Sequence, residues 1–455
     1  MTDPRRIVVT GASGNVGSGV LRALARTVPD AEVVGVCRRP PASGRTYEGI
    51  HWHAVDLSSP TATAELAPAM RDADVVIHLA LAIQPLHDED YLYRANVLGS
   101  QAVFDAMAAA GVTQLVYASS LGIYAAGATG PVDESWSTAG QSSSTYSRHK
   151  VLVEDMLDRF EADHPDTAVS RFRPTVVVQR EAASEIQSLY LGPVIPRAAL
   201  KLLRRKALPI LPLPTGLSLQ FVHSDDVGDA VMRMMTQRAR GSFNVAADPL
   251  DSHALAGLVG GRPIGVDPGI FRRAVVALHR LRVIAVTPGW YDVATKSPLM
   301  DTTKAKRELG WTAARSSEQA ASELIDGLAD GAVGTSAAMG WKAEDTVTTR
   351  TAFDWVHDAT LALWGASVLV AARRRRRPGA LTAAAVAANL VAGTPAALER
   401  VRQKRRDPAA LLAPAAVGAS ILATLRGGWA PVAATAVLGG LRAAEIRRTA
   451  QEGHQ

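Results

Sequence analysis

Short apolar runs and stretches of helical periodicity alternate along the first part of the chain. β-Branched and apolar residues at 7–10, 32–37, 74–80 and 114–120 predict buried strands. Helical periodicity at 20–25 and at 97–110, where Gly111 follows, predicts the intervening helices. Strands that alternate with helices in this way predict an α/β fold with a doubly wound parallel sheet. In such sheets ligands bind beyond the carboxyl ends of the strands.

The first predicted strand runs into a glycine-rich turn, Thr10-Gly11-Ala12-Ser13-Gly14-Asn15-Val16-Gly17, and then into a helix. This context is typical of a dinucleotide-binding turn, in which Gly11 permits the tight turn and Gly14 lets the backbone approach a pyrophosphate. The N–H groups at the helix start attract the phosphate charge. The glycines are spaced three and three, unlike the standard fingerprint, so a purely geometric role for the turn stays open.

Polar residues follow the next predicted strands. Arg38 and Arg39 stand where an enzyme that uses NAD commonly has an acid, and two arginines there favour the 2′-phosphate of NADP. Solvated loop arginines are the alternative. Asp56 comes after a third predicted strand, where it either accepts a hydrogen bond from the adenine or caps the following turn.

The candidate chemistry lies in Tyr146-Ser147-Arg148-His149-Lys150, which opens a predicted helix. A spacing of four places Tyr146 and Lys150 on one helix face, and an ammonium near a phenol lowers the pKa of the phenol. Such a tyrosine can exchange a proton with a substrate hydroxyl. Ser120, at the end of the preceding strand, is positioned to hold the same substrate oxygen.

Together these motifs resemble an extended short-chain dehydrogenase/reductase of the NAD-dependent epimerase/dehydratase type, over roughly residues 5–330. Besides the glycine turn and Tyr146 to Lys150, the resemblance is carried by Asp56-Leu57, His78-Leu79-Ala80, Asn96-Val97-Leu98-Gly99, Ser119-Ser120-Leu121-Gly122-Ile123-Tyr124, Arg173-Pro174-Thr175, Phe221 to Val227 and Lys304 to Trp311. The set in this order is highly specific.

The resemblance implies a catalytic triad of Ser120, Tyr146 and Lys150, with Lys150 also on the nicotinamide ribose. It implies that Asn96 supports the site, while Arg173 is equally well explained as a structural ion-pair member. The implied NAD(P)-binding set, with NADP favoured, is Gly11, Ser13, Gly14, Asn15, Val16, Gly17, Arg38, Arg39, Asp56, Leu57, Leu79, Ala80, Tyr146, Lys150 and Pro174. No metal site is predicted.

One difference from the family's sequence pattern limits the reactions that we expect. Leu121-Gly122 follows Ser120 where the family's sugar dehydratases have an Asp-Glu pair, which argues against 4,6-dehydration. We therefore expect an NAD(P)-dependent epimerase or dehydrogenase/reductase acting on a secondary alcohol or ketone of a sugar nucleotide or related hydroxylated substrate. The alternatives are an NADPH-dependent carbonyl reductase or steroid-type 3-hydroxy dehydrogenase, and a non-catalytic NADP sensor tethered by its tail.

Residues 1–330 are expected to form the NAD(P)-binding domain, with a Rossmann core at about 1–175 and a small α+β substrate lobe mostly at 176–300. Within the lobe the sequence predicts a basic helix at 198–206, an extended loop at 208–214 and a helix within 271–288 that covers the pocket. His223 is expected to close a strand, and Asp225 and Asp226 to act as helix N-caps.

The C-terminal part has a different composition. Residues 331–352 are predicted to be a linker and 353–455 an Ala/Arg-rich all-helical extension, where 14 Lys/Arg oppose 4 Asp/Glu within 373–455. Uncharged runs within 380–398 and 408–425 have nearly the length of a membrane span, and arginine clusters flank them. The extension is therefore expected to contact a membrane, with a soluble helical bundle as the alternative.

The remaining expectations concern location and partners. Cys37 is the single cysteine, which excludes an internal disulfide and fits a reducing compartment. The chain enters a strand almost at once, so no signal peptide is expected. We therefore expect a cytoplasmic location, with attachment to the cytoplasmic face of the membrane as an option. We expect a small-molecule substrate and, as an option, a homodimer. No nucleic-acid partner is expected, since no aromatic residues interleave with the arginines.

Overall fold

The computed structural model describes residues 4–340 except 42–43, 84–87, 192–196, 281–283 and 285. Contacts divide the chain into units 1–343 and 344–455, and the second unit, with the predicted extension, lies outside the described residues. The strands are β1 Arg6–Thr10, β2 Glu32–Cys37, β3 His51–Ala54, β4 Val75–His78, β5 Gln114–Ala118, β6 Ala168–Pro174, β7 Val176–Val178, β8 Ile210–Pro214, β9 Leu219–His223, β10 Gly241–Val245, β11 Pro249–Leu250 and β12 Arg262–Val266.

The helices follow the periodicity of the sequence. They are α1 Asn15–Thr27, α2 Ala62–Met70, α3 Glu89–Tyr93, α4 Gly99–Ala110, α5 Thr145–Asp163, α6 Ala183–Ile186, α7 Arg197–Arg204, α8 Ser224–Thr236, α9 Ser252–Gly257, α10 Pro268–Arg280, α11 Pro288–Lys296, α12 Thr303–Leu309 and α13 Ser317–Asp330. Gly111 ends α4 in the left-handed conformation, as its position after the periodic run predicts.

A seven-stranded parallel sheet forms the centre of the described unit, in the order β10-β6-β5-β4-β1-β2-β3. The helices α1 and α8 contribute to the apolar core on one face, and α2, α4 and α5 to that on the other. This confirms the predicted doubly wound α/β architecture. The carboxyl ends of β1, β2, β4 and β5 therefore lie at one edge of the sheet, where a ligand is expected.

The second half of the chain divides its residues between two regions. β10 returns to the edge of the main sheet, so the stretch expected to form the substrate lobe also contributes to the Rossmann core. A three-stranded sheet, β11-β9-β7, and the pair β12-β8 form the smaller region. The prediction of an extended loop at 208–214 was wrong for residues 210–214, which pair with β12 as a strand. The prolines of β8 are tolerated because β8 is an edge strand.

Two local expectations about the start of α8 have different outcomes. His223 closes β9, as predicted. The N-cap assignment of Asp225 and Asp226 was wrong, because the imidazole Nδ1 of His223 accepts the hydrogen bond from the Asp225 N–H at 3.1 Å. Asp225 instead forms an ion pair with Arg22 at 2.6 Å, which joins α8 to α1.

Residues 331–340 differ from the linker expected there. This segment turns back after α13 and packs on the glycine turn, with Ser336 and Met339 buried. It therefore belongs to the first unit, while the rest of the predicted linker, apart from residues 341–343, falls in the second. Within the part of the chain that the structure describes, no helix is long and apolar enough to cross a bilayer.

Candidate active site

The glycine turn leaves open space at the position where a pyrophosphate is expected. Gly11 adopts a φ of +69°, and a Cβ on Gly17 would lie 2.4 Å from the carbonyl oxygen of Gly11, so the fold itself needs both glycines. A Cβ on Gly14 would meet only that same oxygen, at 3.4 Å, and Gly14 has an extended backbone. The fold itself therefore does not require a glycine at position 14, and the space beside it is open to a ligand.

The start of α1 has the electrostatic character of an anion site. Gly14 is the N-cap and provides no side-chain hydrogen bond to the first-turn N–H groups. These N–H groups carry the positive end of the helix dipole, which stabilises a phosphate. The residues present thus fit a dinucleotide bound through its pyrophosphate.

The predicted site residues other than Asn96 converge on one cavity of about 760 Å³ within the described unit. It is lined by all of the implied NAD(P)-binding residues and by Ser120. These are Gly11, Ser13, Gly14, Asn15, Val16, Gly17, Arg38, Arg39, Asp56, Leu57, Leu79, Ala80, Ser120, Tyr146, Lys150 and Pro174. The cavity lies beyond the carboxyl ends of β1, β2, β4 and β5, because each of these strands ends at a lining residue or directly before one.

Both arginines after β2 are exposed at the cavity. Arg38 donates a hydrogen bond to the hydroxyl of Tyr91 and lies over its ring, 5.7 Å from the centroid. Asp56 caps the following turn, because its Oδ1 accepts from the N–H of Ser58 at 2.9 Å. It also lines the cavity, so a contact with the adenine stays a prediction.

Tyr146 and Ser120 lie next to each other in the cavity. Burial raises the pKa of Tyr146 to about 12, against a hydrogen bond with Ser120 that lowers it. The Ser120 Oγ accepts from the Gly122 N–H at 2.9 Å, so its one hydroxyl proton can be donated either to the Tyr146 oxygen or to a substrate oxygen. The two hydroxyl groups can therefore bind one substrate oxygen.

Lys150 lies in the same cavity, where its hydrogen bonds within the protein go to β5 and not to Tyr146. Its Nζ donates to the Ala118 carbonyl at 2.6 Å and to the Tyr117 hydroxyl at 3.2 Å, and burial lowers its pKa to about 7. The expected lowering of the Tyr146 pKa by this ammonium is absent from the described arrangement, where the pKa of the phenol is raised. The physical reason is that burial disfavours the charged form of both groups.

Asn96 and Arg173 do not line the cavity. Asn96 accepts from the Ala82 N–H at 2.7 Å and donates to the Ala82 carbonyl at 2.8 Å, so it holds the loop that follows β4. Arg173 is buried and forms an ion pair with Glu154 at 2.6 Å, which supports the structural alternative for this residue. Pro174, the next residue, does line the cavity.

Several lining residues carry no sequence motif. Trp290 of α11 stacks on the ring of Tyr146 with centroids 4.5 Å apart, and Tyr190 meets Trp290 edge to face. Glu185 of α6 lines the cavity, and burial raises its pKa to about 7. Ala337 and Ala338 come from the segment that follows α13. No local sequence pattern marks these residues, because only tertiary packing brings their elements to the site.

The fold and the uncapped glycine turn define a Rossmann-type dinucleotide-binding protein. The sequence model of the NAD dependent epimerase/dehydratase family matches residues 7–246, and the chain belongs to this family. Its relatives include a dehydrogenase and epimerases.

The chain is 36% identical over 114 residues to L-arabinose 1-dehydrogenase (NAD(P)(+)) of Haloferax volcanii, an alignment that covers 25% of this chain and 40% of that protein. It is 26% identical to the UDP-glucose 4-epimerase of Yersinia enterocolitica over 37% of this chain and 52% of the relative. These alignments span about half the length of the relatives or less.

Solved structures share the fold. The structure of MoeE5 in complex with UDP-glucose and NAD superimposes with a TM-score of 0.52 at 22% identity. This superposition covers 72% of this chain and 99% of the other. At this level of identity the likeness establishes the fold alone.

Proposed function

We propose that this protein is an NAD(P)-dependent oxidoreductase that acts on a secondary alcohol or ketone through Ser120, Tyr146 and Lys150. The observation that carries the proposal is the shared cavity, which holds these three side chains together with the glycine turn. A sensor that only binds a dinucleotide would not need a serine hydroxyl beside a buried tyrosine phenol.

The side chains divide the work as follows. A bound nicotinamide dinucleotide supplies or accepts the hydride. Ser120 binds the substrate oxygen through its hydroxyl proton, and Tyr146 transfers a proton between its phenol and that oxygen. In the protonated form of Lys150, two N–H donors are held by Ala118 and Tyr117, and the third is left for a ribose hydroxyl.

In the dinucleotide-free protein Tyr146 is in the form that carbonyl reduction requires of its proton donor. With a pKa of about 12, the phenol keeps its proton near neutral pH. A protonated phenol is a general acid that can protonate the oxygen of a ketone as a hydride reaches the carbon. Oxidation, with which an epimerase begins, requires the phenolate instead.

The cavity wall near Tyr146 supports an apolar ketone over a sugar nucleotide as substrate. Trp290 and Tyr190 supply aromatic surface there. The aliphatic lining residues of the cavity include Ile83, Leu121, Ile186, Leu189, Val286, Val293 and Leu299. A sugar nucleotide has a pyrophosphate of its own that needs cationic or N–H partners.

The positively charged residues around the cavity are not placed to bind the pyrophosphate of a sugar nucleotide. Among the described lining residues, the charged side chains are Arg38, Arg39, Asp56, Lys150 and Glu185. The two arginines follow β2, where the adenosine half of the dinucleotide is expected. Arg204 of the basic helix α7 pairs with Asp330 and does not line the cavity. The carbonyl reductase alternative is therefore favoured over the sugar-nucleotide epimerase, with NADPH as the reductant because of Arg38 and Arg39.

Purified protein should be tested with NADPH or NADH against apolar cyclic ketones and UDP-glucose. We expect NADPH consumption with an apolar ketone. Tyr146→Phe should keep NADPH binding and reduce turnover by about 10²–10⁴-fold. Conversion of UDP-glucose without added dinucleotide, by protein that retains its cofactor, would establish the epimerase instead. NADPH binding without turnover of any carbonyl compound would support the sensor.

A further inference from the structure

Residues 336–339, which we call the strap, pack directly against the glycine turn. The Ser336 Oγ donates a hydrogen bond of 2.6 Å to the Ser13 carbonyl, and the same Oγ accepts from the Met339 N–H at 3.3 Å. Ser336 has no exposed surface and Met339 is 3% exposed. The strap is therefore packed into the protein and is not an exposed surface loop.

The strap also reaches the first turn of α1 and the cavity. The Met339 sulfur lies 3.9 Å from both the Ser18 hydroxyl and the Gln179 amide nitrogen. Ala337 and Ala338, between the two buried anchors, line the cavity itself. Their small side chains complete a wall of the cavity while leaving its volume for a ligand.

The contact to Ser13 has a direct electrostatic consequence. A carbonyl oxygen that faced the cavity would repel a pyrophosphate, whereas the N–H groups at the start of α1 attract it. Ser336 holds the Ser13 carbonyl, and the hydroxyl of Tyr47 donates to the same oxygen at 3.4 Å. The strap thus fixes the peptide plane of the turn in an orientation that suits an anion.

We propose that the strap is an integral part of the dinucleotide site, so that dinucleotide binding and seating of the strap stabilise each other. This inference rests on the dinucleotide binding of the proposed function. Coupling of this kind is reciprocal, because each event favours the same conformation of the turn. The strap lies beyond residue 246, where the family match ends, and before the basic C-terminal extension at 353–455.

The test uses the full-length protein and two measurements. Hydrogen exchange in residues 332–340 should slow several-fold when NADPH is added. Ser336→Ala should weaken NADPH binding by about 5- to 10-fold, since it removes the hydrogen bond that holds the turn. Ser170→Ala is the matched control, because its buried hydroxyl has no hydrogen-bond partner among the described residues and lies outside the cavity.

The outcomes separate this inference from the proposed function. If the wild-type protein binds neither NADPH nor NADH, the proposed function fails, and the inference with it. If the wild type binds NADPH but exchange in residues 332–340 is unchanged, or Ser336→Ala binds as tightly as the wild type, only the coupling is overturned. Tighter binding by Ser336→Ala would overturn it too, by showing that the strap obstructs the site. The exchange measurement needs no variant, so it decides the question even if Ser336→Ala fails to fold.

Discussion

The rings of Trp290 and Tyr146 stack with their centroids 4.5 Å apart and their planes 25° apart. Tyr146 belongs to α5 on the main sheet, and Trp290 belongs to α11 in the second half of the chain. The stack therefore fixes the orientation of the phenol and provides the apolar surface next to it. A side chain in this position affects both substrate affinity and the placement of the proton donor.

Replacing Trp290 should separate substrate binding from dinucleotide binding. Trp290→Ala removes an aromatic pair of about 0.5–1.5 kcal/mol together with apolar surface, so KM for an apolar ketone should rise about 10-fold. Trp290→Phe, which retains a ring, should recover most of this loss. The Kd for NADPH, measured by fluorescence titration, should stay unchanged in both variants. Equal KM values for the alanine variant and the wild type would contradict a role in substrate binding.

Gly14 and Gly17 should respond in opposite ways to the same substitution. Gly14→Ala meets only ordinary contact within the protein, so the thermal midpoint should stay within about 2 °C while NADPH affinity falls at least about 10-fold. Gly17→Ala places a methyl group 2.4 Å from the Gly11 carbonyl oxygen, so the protein itself should be destabilised by about 1–3 kcal/mol. Calorimetry with and without NADPH measures both effects. Unchanged dinucleotide affinity in Gly14→Ala would show that the turn serves geometry alone.

Glu185 should make stability depend on pH. Burial raises its pKa from 4.5 to about 7, and its Oε2 has no hydrogen-bond partner among the described residues. Because the folded-state pKa exceeds the unfolded value, the stabilisation is complete below about pH 4.5 and is lost as the pH rises through about 7. The loss is on the order of 3 kcal/mol.

Urea unfolding of the wild type and Glu185→Gln between pH 5 and pH 8 tests this. The difference between the two proteins should change across that range, with the wild type losing more stability as the pH rises. Taking the difference removes the opposite contribution of Lys150, whose pKa is lowered to about 7 by burial. A constant difference between the two proteins would show that Glu185 does not titrate in this range.

Much of the site could be predicted because its residues follow local rules. Ser120 lies two residues after the end of β5, and Tyr146 and Lys150 lie four residues apart on α5, so short local patterns are enough to locate them. Trp290 and Glu185 could not be predicted, since they reach the cavity only through the packing of α11 and α6. The Gly/Ala/Ser-rich composition around Ser336 is typical of a linker, and its burial depends on a complementary surface at the glycine turn that no local pattern records.

The two arginines after β2 should determine the choice between NADPH and NADH. Replacing Arg38 and Arg39 together by alanine removes the cations expected to face a 2′-phosphate, so NADPH affinity should fall about 10- to 100-fold. The affinity for NADH should change less than about 2-fold, because NADH lacks the phosphate that the two arginines are expected to bind. Arg71→Ala is the matched control, since this arginine is also exposed but does not line the cavity. Fluorescence titration at two salt concentrations makes the distinction sharper, because a phosphate contact weakens with added salt. A parallel loss of affinity for both dinucleotides would mean that the arginines act on the shared adenosine half and that the preference for NADPH is wrong.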